Sequence, residues 1–185
     1  MSPSMFEPFT VAHRHPFGRY VFVTASVHGL LTGVGFAIGF YTTAGPLTGR
    51  GAVRLGLAVA TGLAIGHLWT ACSPVGDDLE PNRQAPSHSD QLRETAEASI
   101  RPGWIGPIRA LGTLAGIGAT TWPYTLDGVL FGIRGAIGLV VLIGLTLLFG
   151  AGATIGSLLE ESEFVLGAQT ITAGIAVVGV VWLLP

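Results

Sequence analysis

Between Tyr20 and Ala71 the chain carries two long apolar runs, Val21–Tyr41 and Val53–Ala71, joined by the turn segment TTAGPLTGRG. A bilayer core is about 30 Å thick and an α-helix rises 1.5 Å per residue, so about 20 apolar residues cross it. Runs of this length constrain the fold more than any other feature. In lipid every backbone N–H and C=O must be paired within the protein, which only α-helices and closed β-barrels achieve. Barrel strands alternate apolar and polar residues, and these runs are continuous. Three further runs follow, Ile105–Trp122, Gly135–Leu159 and Val165–Leu184, and the stretch GLVVLIGLTLLFG makes the second of these the most apolar. The expected fold is all-α, a polytopic transmembrane helix bundle of about five spans. Four spans remain if the short third run, which begins with Pro107 and Arg109, lies in the interface.

Composition agrees. Only 11% of the 185 residues are charged, against about 25% in soluble domains, and mean hydropathy is +0.61. A chain this short cannot cover a water-facing surface with so few charges. Residues 20–185 therefore read as a single membrane domain with a polar loop at 72–104, and residues 1–19 as an interfacial lead-in. That lead-in, MSPSMFEPFTVAHRHPFGR, is mixed in polarity and carries Glu7, Arg14 and Arg19. No A-x-A site ends the run after it, so the first span reads as retained and not as a cleaved signal. Within the polar loop, Asp90–Ile100 is expected to form a short helix ended by Pro102. A net charge of −2 gives no reason to expect nucleic acid as a partner. The single cysteine, Cys72, excludes an intrachain disulfide.

Arginine placement predicts orientation. With five spans, Arg14, Arg19, Arg83, Arg93, Arg101 and Arg109 fall on the side of the N-terminus and the polar loop, whereas Arg50, Arg54 and Arg134 fall on the other. The expected placement is in the cell membrane with the N-terminus and the 72–104 loop cytoplasmic.

Two histidines lie inside the first two runs. On the first, Thr24, His28, Thr32, Gly35 and Gly39 recur at helical spacing. On the second, Gly56, Ala60, Ala64, His67 and Ala71 do the same. Faces of small residues let backbones approach closely, so these two helices are expected to form a tight pair. At 1.5 Å per residue, His28 lies about 12 Å and His67 about 6 Å from the inner ends of their spans. The imidazoles thus share one half of the membrane. Polar groups at that depth are costly without partners and are functional candidates by default. Ordinary hydrogen bonding between helices comes first among the readings. A proton or substrate path through Thr24, His28, Thr32, His67 and Gln169 (the one amide of the fifth run) comes second. A b-type haem held axially by His28 and His67 comes last, because small-residue faces leave little room for a macrocycle.

Other chemistry is weakly signalled. His13, His15, His88, Asp77 and Asp78 lack the spacing of a zinc site, and no metal is expected. Glu160, Glu161 and Glu163 read as a solvated acidic turn, Asp127 and Arg134 as loop markers, and Arg109 as a side chain snorkelling to the inner interface. The GxxxG pairs Gly29/Gly33, Gly35/Gly39, Gly62/Gly66, Gly112/Gly116, Gly128/Gly132 and Gly152/Gly156 are expected mainly to pack helices within the bundle. No nucleophile elbow, phosphate loop, HExxH or dinucleotide fingerprint is placed on suitable elements, so no catalytic residue is assigned. The expectation is a structural or accessory subunit of a membrane complex, with other subunits or a second copy as partners. The alternative is a small oligomeric transporter or channel subunit using the polar stripe.

Overall fold

The computed structural model of the protein describes residues 16–42, 48–72, 104–126 and 132–183. The lead-in through His13 and His15, the loop with Asp77, Asp78, His88 and the expected 90–100 helix, and Asp127 and Gly128 lie outside them. Five α-helices follow in order: α1 Pro16–Thr42, α2 Gly49–Cys72, α3 Ile105–Thr121, α4 Ile133–Leu158 and α5 Glu163–Leu183. No strand occurs among the described residues. Helices α1, α2, α4 and α5 are each long and apolar enough to cross a membrane. Helix α3 has 17 residues and continues directly as a 3-10 turn, Trp122–Leu126.

The helices begin and end for local reasons. Pro16 opens α1 at a position where its missing N–H costs nothing. Thr48 caps α2: its Oγ1 accepts from the Gly51 N–H at 3.2 Å, satisfying one of the donors a helix start leaves free. Gly132, at φ +74°, precedes α4 in a conformation open to glycine. Between α4 and α5, Glu160 takes the left-handed position at φ 56°. The Glu161 N–H then reaches back to the Gly156 carbonyl at 2.9 Å, which closes the helix end and turns the chain sharply.

Register fixes the topology. Phe22 and Ala25 lie opposite Gly112, and Gly33 lies opposite Thr120, so α1 and α3 run parallel. Gly56 lies against Thr121 near the end of α3, and His67 lines a cleft with Arg109 near its start, which makes α2 antiparallel to α3. Val34 meets Gly144, while Val177 and Val181 meet Gly35 and Gly39; α4 is thus antiparallel and α5 parallel to α1. The helices alternate in direction, and α3 with its 3-10 extension runs alongside α1 for most of its length. At one end Trp104 and Ile105 pack with Phe17, Tyr20 and Val21. At the other, Tyr124 packs with Phe40 and Ala37. The described residues form a helical bundle with four helices long and apolar enough to cross a membrane, and the third helix packs beside α1 among them.

Helix α1 is the hub. Of its most apolar stretch 44% is buried, against 11% in α5. The tight α1–α2 pair expected from the two small faces is not what forms. Helix α3 lies between them, and α1 and α2 scarcely meet. The reason is a better match. A Cβ built on Gly112 would strike the Phe22 carbonyl oxygen, and one on Gly116 the Ser26 carbonyl oxygen. From the other side, Gly29 backs onto the Thr113 backbone and Gly33 onto the Thr120 side chain. Two GxxxG pairs thus face each other, and their backbones approach as far as sterics allow. The small face of α2 is buried too, at Ala60 and Ala64, but Gly56 shows that it lies on α3. By contrast, Gly62 and Gly66 meet nothing within 4 Å. Helix α5 closes onto α4 where the Thr170 hydroxyl donates to the Leu148 carbonyl at 2.8 Å.

Candidate functional site

Helix α1 turns its packing face, Ala25, Gly29 and Gly33, toward α3. Thr24 and His28 sit one residue earlier in each turn and so fall on the exposed edge of that face. The hydroxyls of the stripe are satisfied locally. Thr24 Oγ1 donates to the Tyr20 carbonyl at 2.8 Å, and Thr32 Oγ1 to the His28 carbonyl at 2.9 Å. Both bonds fold back onto α1 and leave the hydroxyl oxygens as acceptors.

Because α1 and α2 flank α3 without closing on each other, a cleft remains at the end of the bundle where α1 and α3 begin. Its volume is about 180 Å³, and it is lined by Tyr20, Val21, Thr24, Ala25, His28, His67 and Arg109. Three helices contribute: α1 supplies His28, α2 supplies His67 and α3 supplies Arg109. All three side chains line the same cleft, and both Arg109 and His28 act electrostatically on His67. Among the described residues no carboxylate lines the cleft. Tyr20, with Phe17 stacked at 6.5 Å, and Trp104 mark the interfacial layer at this end. From that layer Arg109 and His28 lie about 7 Å and 12 Å deeper at 1.5 Å per residue.

The polar positions singled out in the sequence therefore separate. His28, His67 and Thr24 share the cleft. Thr32 lies one turn further along α1, outside the lining. Gln169 is exposed on α5, which packs on α4 and α1 and contributes nothing to the cleft. Arg109, read from sequence only as a snorkelling side chain, is the third member. The missed signal was positional: Arg109 lies five residues after Trp104 and His67 five before Cys72, so antiparallel α2 and α3 bring them to one level.

The chemistry open to this set is recognition by N–H donors. Arginine presents a fixed fork of donors and stays charged, and each imidazole adds at least one donor. A haem between His28 and His67 does not fit. The cleft is smaller than the ~300–1,000 Å³ of ordinary small-molecule sites, and Arg109 shares the same space. Among the described residues no three His, Cys, Asp or Glu side chains come together as metal ligands. No protein-family model matches the sequence, and neither the curated proteins nor the solved structures include a significant match. Fold and composition define the class alone: a small multi-pass α-helical membrane protein.

Proposed function

We propose that the protein is a structural or accessory subunit of a complex in the cell membrane, with its N-terminus and the 72–104 loop cytoplasmic. The observation that carries this reading is the α1–α3 crossing. Beyond the cleft, Gly29 lies on Thr113 and Gly33 on Thr120, with backbone against backbone at Gly112 and Gly116. A polar path would have to continue there, and the remaining polar positions, Thr32 and Gln169, lie off its line. The outer faces of α2 and α5 add support. They expose Leu57, Ile65, Trp69, Ile175 and Val180, apolar surface that suits lipid, further subunits or a second copy equally well. The alternative, a transporter or channel subunit, is favoured by the convergence of His28 and His67 on one cleft.

Two measurements separate them. In sealed proteoliposomes loaded with a pH-sensitive dye, the subunit reading expects no flux above empty vesicles. In gently solubilised native membranes it expects a larger assembly that a bulky residue on an open face, such as Gly62→Leu, disperses while the bundle stays folded. Flux that disappears in His28→Ala or His67→Ala would reverse the assignment in favour of transport.

A further inference from the structure

We propose that the cleft between α1, α2 and α3 binds the phosphate group of an anionic lipid headgroup. The inference rests on reading the cleft as a closed binding site and not as the mouth of a path. Charge is the first argument. Arg109 carries a permanent positive charge below the interfacial layer, His28 and His67 add donors, and among the described residues no carboxylate lines the space. A cation at membrane depth is costly unless an anion or other partner meets it. Arginine forks match phosphate oxygens in a bidentate manner.

Depth and access select the source of that phosphate. The cleft runs from Tyr20, in the aromatic layer at the headgroup level, to His28 about 12 Å deeper, so its mouth meets the headgroups and the long Arg109 side chain can reach up toward them. Its walls, α1 and α2, do not close on each other, and both Arg109 and His28 are exposed. Among the described residues, then, the gap between α1 and α2 leaves the cleft open to the side, where a lipid can reach it. No residue of α1 beyond His28 lines the cleft, and deeper along α1 Gly29 and Gly33 pack directly on α3, so the site stays at this end of the bundle. A volume of about 180 Å³ suits a phosphodiester and its first ester atoms. Exposed Ile65 and Leu68 flank His67 in sequence, so an acyl chain has apolar surface beside the cleft. Basic pockets between membrane helices are a recurring mode of anionic-lipid recognition.

The test uses the full-length protein in a neutral detergent, titrated with phosphatidylglycerol, with phosphatidylcholine of the same chains, and with inorganic phosphate. Bound lipid is read by native mass spectrometry. Phosphatidylglycerol is expected to saturate one site at least tenfold more tightly than phosphatidylcholine. Arg109→Gln and the double variant His28→Gln/His67→Gln are each expected to weaken it tenfold or more. Arg109→Lys keeps most of the binding, and Arg54→Gln, at the far end of α2, leaves it unchanged. Thermal midpoints establish that each variant is folded. Equal retention of phosphatidylglycerol by folded Arg109→Gln overturns the proposal. Binding of inorganic phosphate without phosphatidylglycerol also overturns it, and shows a soluble-anion site instead. Lost lipid selectivity with no flux in the vesicle assay removes this inference and leaves the subunit reading standing, whereas histidine-dependent flux removes the subunit reading itself.

Discussion

Gly116→Ala tests the central packing claim with a single methyl group. The new Cβ would lie 2.8 Å from the Leu30 nitrogen and 3.0 Å from the Gly29 carbonyl carbon, with the Ser26 carbonyl oxygen closer still. All three are backbone atoms of α1 and cannot rotate away. Carbon contacts are comfortable at about 3.5–4.0 Å, so the helices must part by on the order of 1 Å. A gap of about 0.5–1 Å forfeits a quarter to a half of the dispersion in the atom pairs that span it. With roughly 20–40 such pairs at ~0.1–0.2 kcal/mol each, the loss is on the order of 1–3 kcal/mol, the range typical of overpacked cores. The folding constant then falls roughly 5- to 150-fold. Gly62→Ala supplies the contrast, because its Cβ meets nothing within 4 Å and is expected to change stability by less than about 0.5 kcal/mol.

Titration from mild detergent into sodium dodecyl sulfate, followed by circular dichroism and by tryptophan fluorescence, measures both variants against the parent. Trp104 and Trp122 bracket α3 and report its release. Adding Gly112→Ala to Gly116→Ala should cost less than the sum of the two, since one separation of the helices relieves both clashes. If Gly116→Ala unfolds at the parent midpoint, or Gly62→Ala is equally damaging, the account of the α1–α3 crossing is wrong.

Three further outcomes follow from other parts of the bundle. Tyr124 is fully buried and its hydroxyl has no hydrogen-bond partner among the described residues; Tyr124→Phe removes that cost and should raise the same unfolding midpoint, with a gain in stability of up to about 1–3 kcal/mol. Glu160 holds a left-handed backbone at φ 56°, so Glu160→Gly should stabilise the α4–α5 turn by about 1 kcal/mol, and a lower midpoint would refute the assignment of strain there. Orientation can be read with an impermeant maleimide: in a Cys72→Ser background, Ser162→Cys should label only in inside-out vesicles and Thr48→Cys only in right-side-out ones, and the reverse pattern inverts the topology.

The bundle was legible because membrane length and continuous apolarity are properties of single segments. Helix limits were less so. Helix α1 begins at Pro16 and α2 at Gly49, several residues before the apolar runs at Val21 and Val53. Hydropathy stops at Arg19, Arg50 and Arg54, whereas backbone hydrogen bonding does not, and all three arginines are exposed at helix ends. Partner choice was the larger gap. Helical periodicity identifies a small-residue face but not the helix that covers it. Gly56, Ala60 and Ala64 would suit α1 as well as α3, and only the depth match of Gly112 and Gly116 to Gly29 and Gly33 decides. The candidate site was half legible for the same reason. His28 and His67 could be set at similar depth from their own spans, but Arg109 joins them only once α3 is known to lie between α1 and α2.

Helix α3 shows what an internal position asks of a segment. At 17 residues it is shorter than the four helices long and apolar enough to span by themselves, and it buries Thr113, Thr120 and Thr121 nearly completely. Those threonines are tolerated because their hydroxyls are satisfied close by: Thr120 donates to the Ile117 carbonyl at 2.9 Å, Thr121 to the same carbonyl at 2.8 Å, and Thr113 toward the Ala25 carbonyl at 3.4 Å. Their small size then serves the close approach that the glycines allow. A segment facing lipid is selected for apolar bulk, and a segment facing helices on both sides for smallness and internal hydrogen bonding. Placing such a helix between α1 and α2 also keeps those two apart at the end where Arg109 sits. The cleft is therefore a consequence of the same packing that closes the rest of the bundle, and a residue that loosened the α1–α3 crossing would be expected to change the cleft as well as the stability.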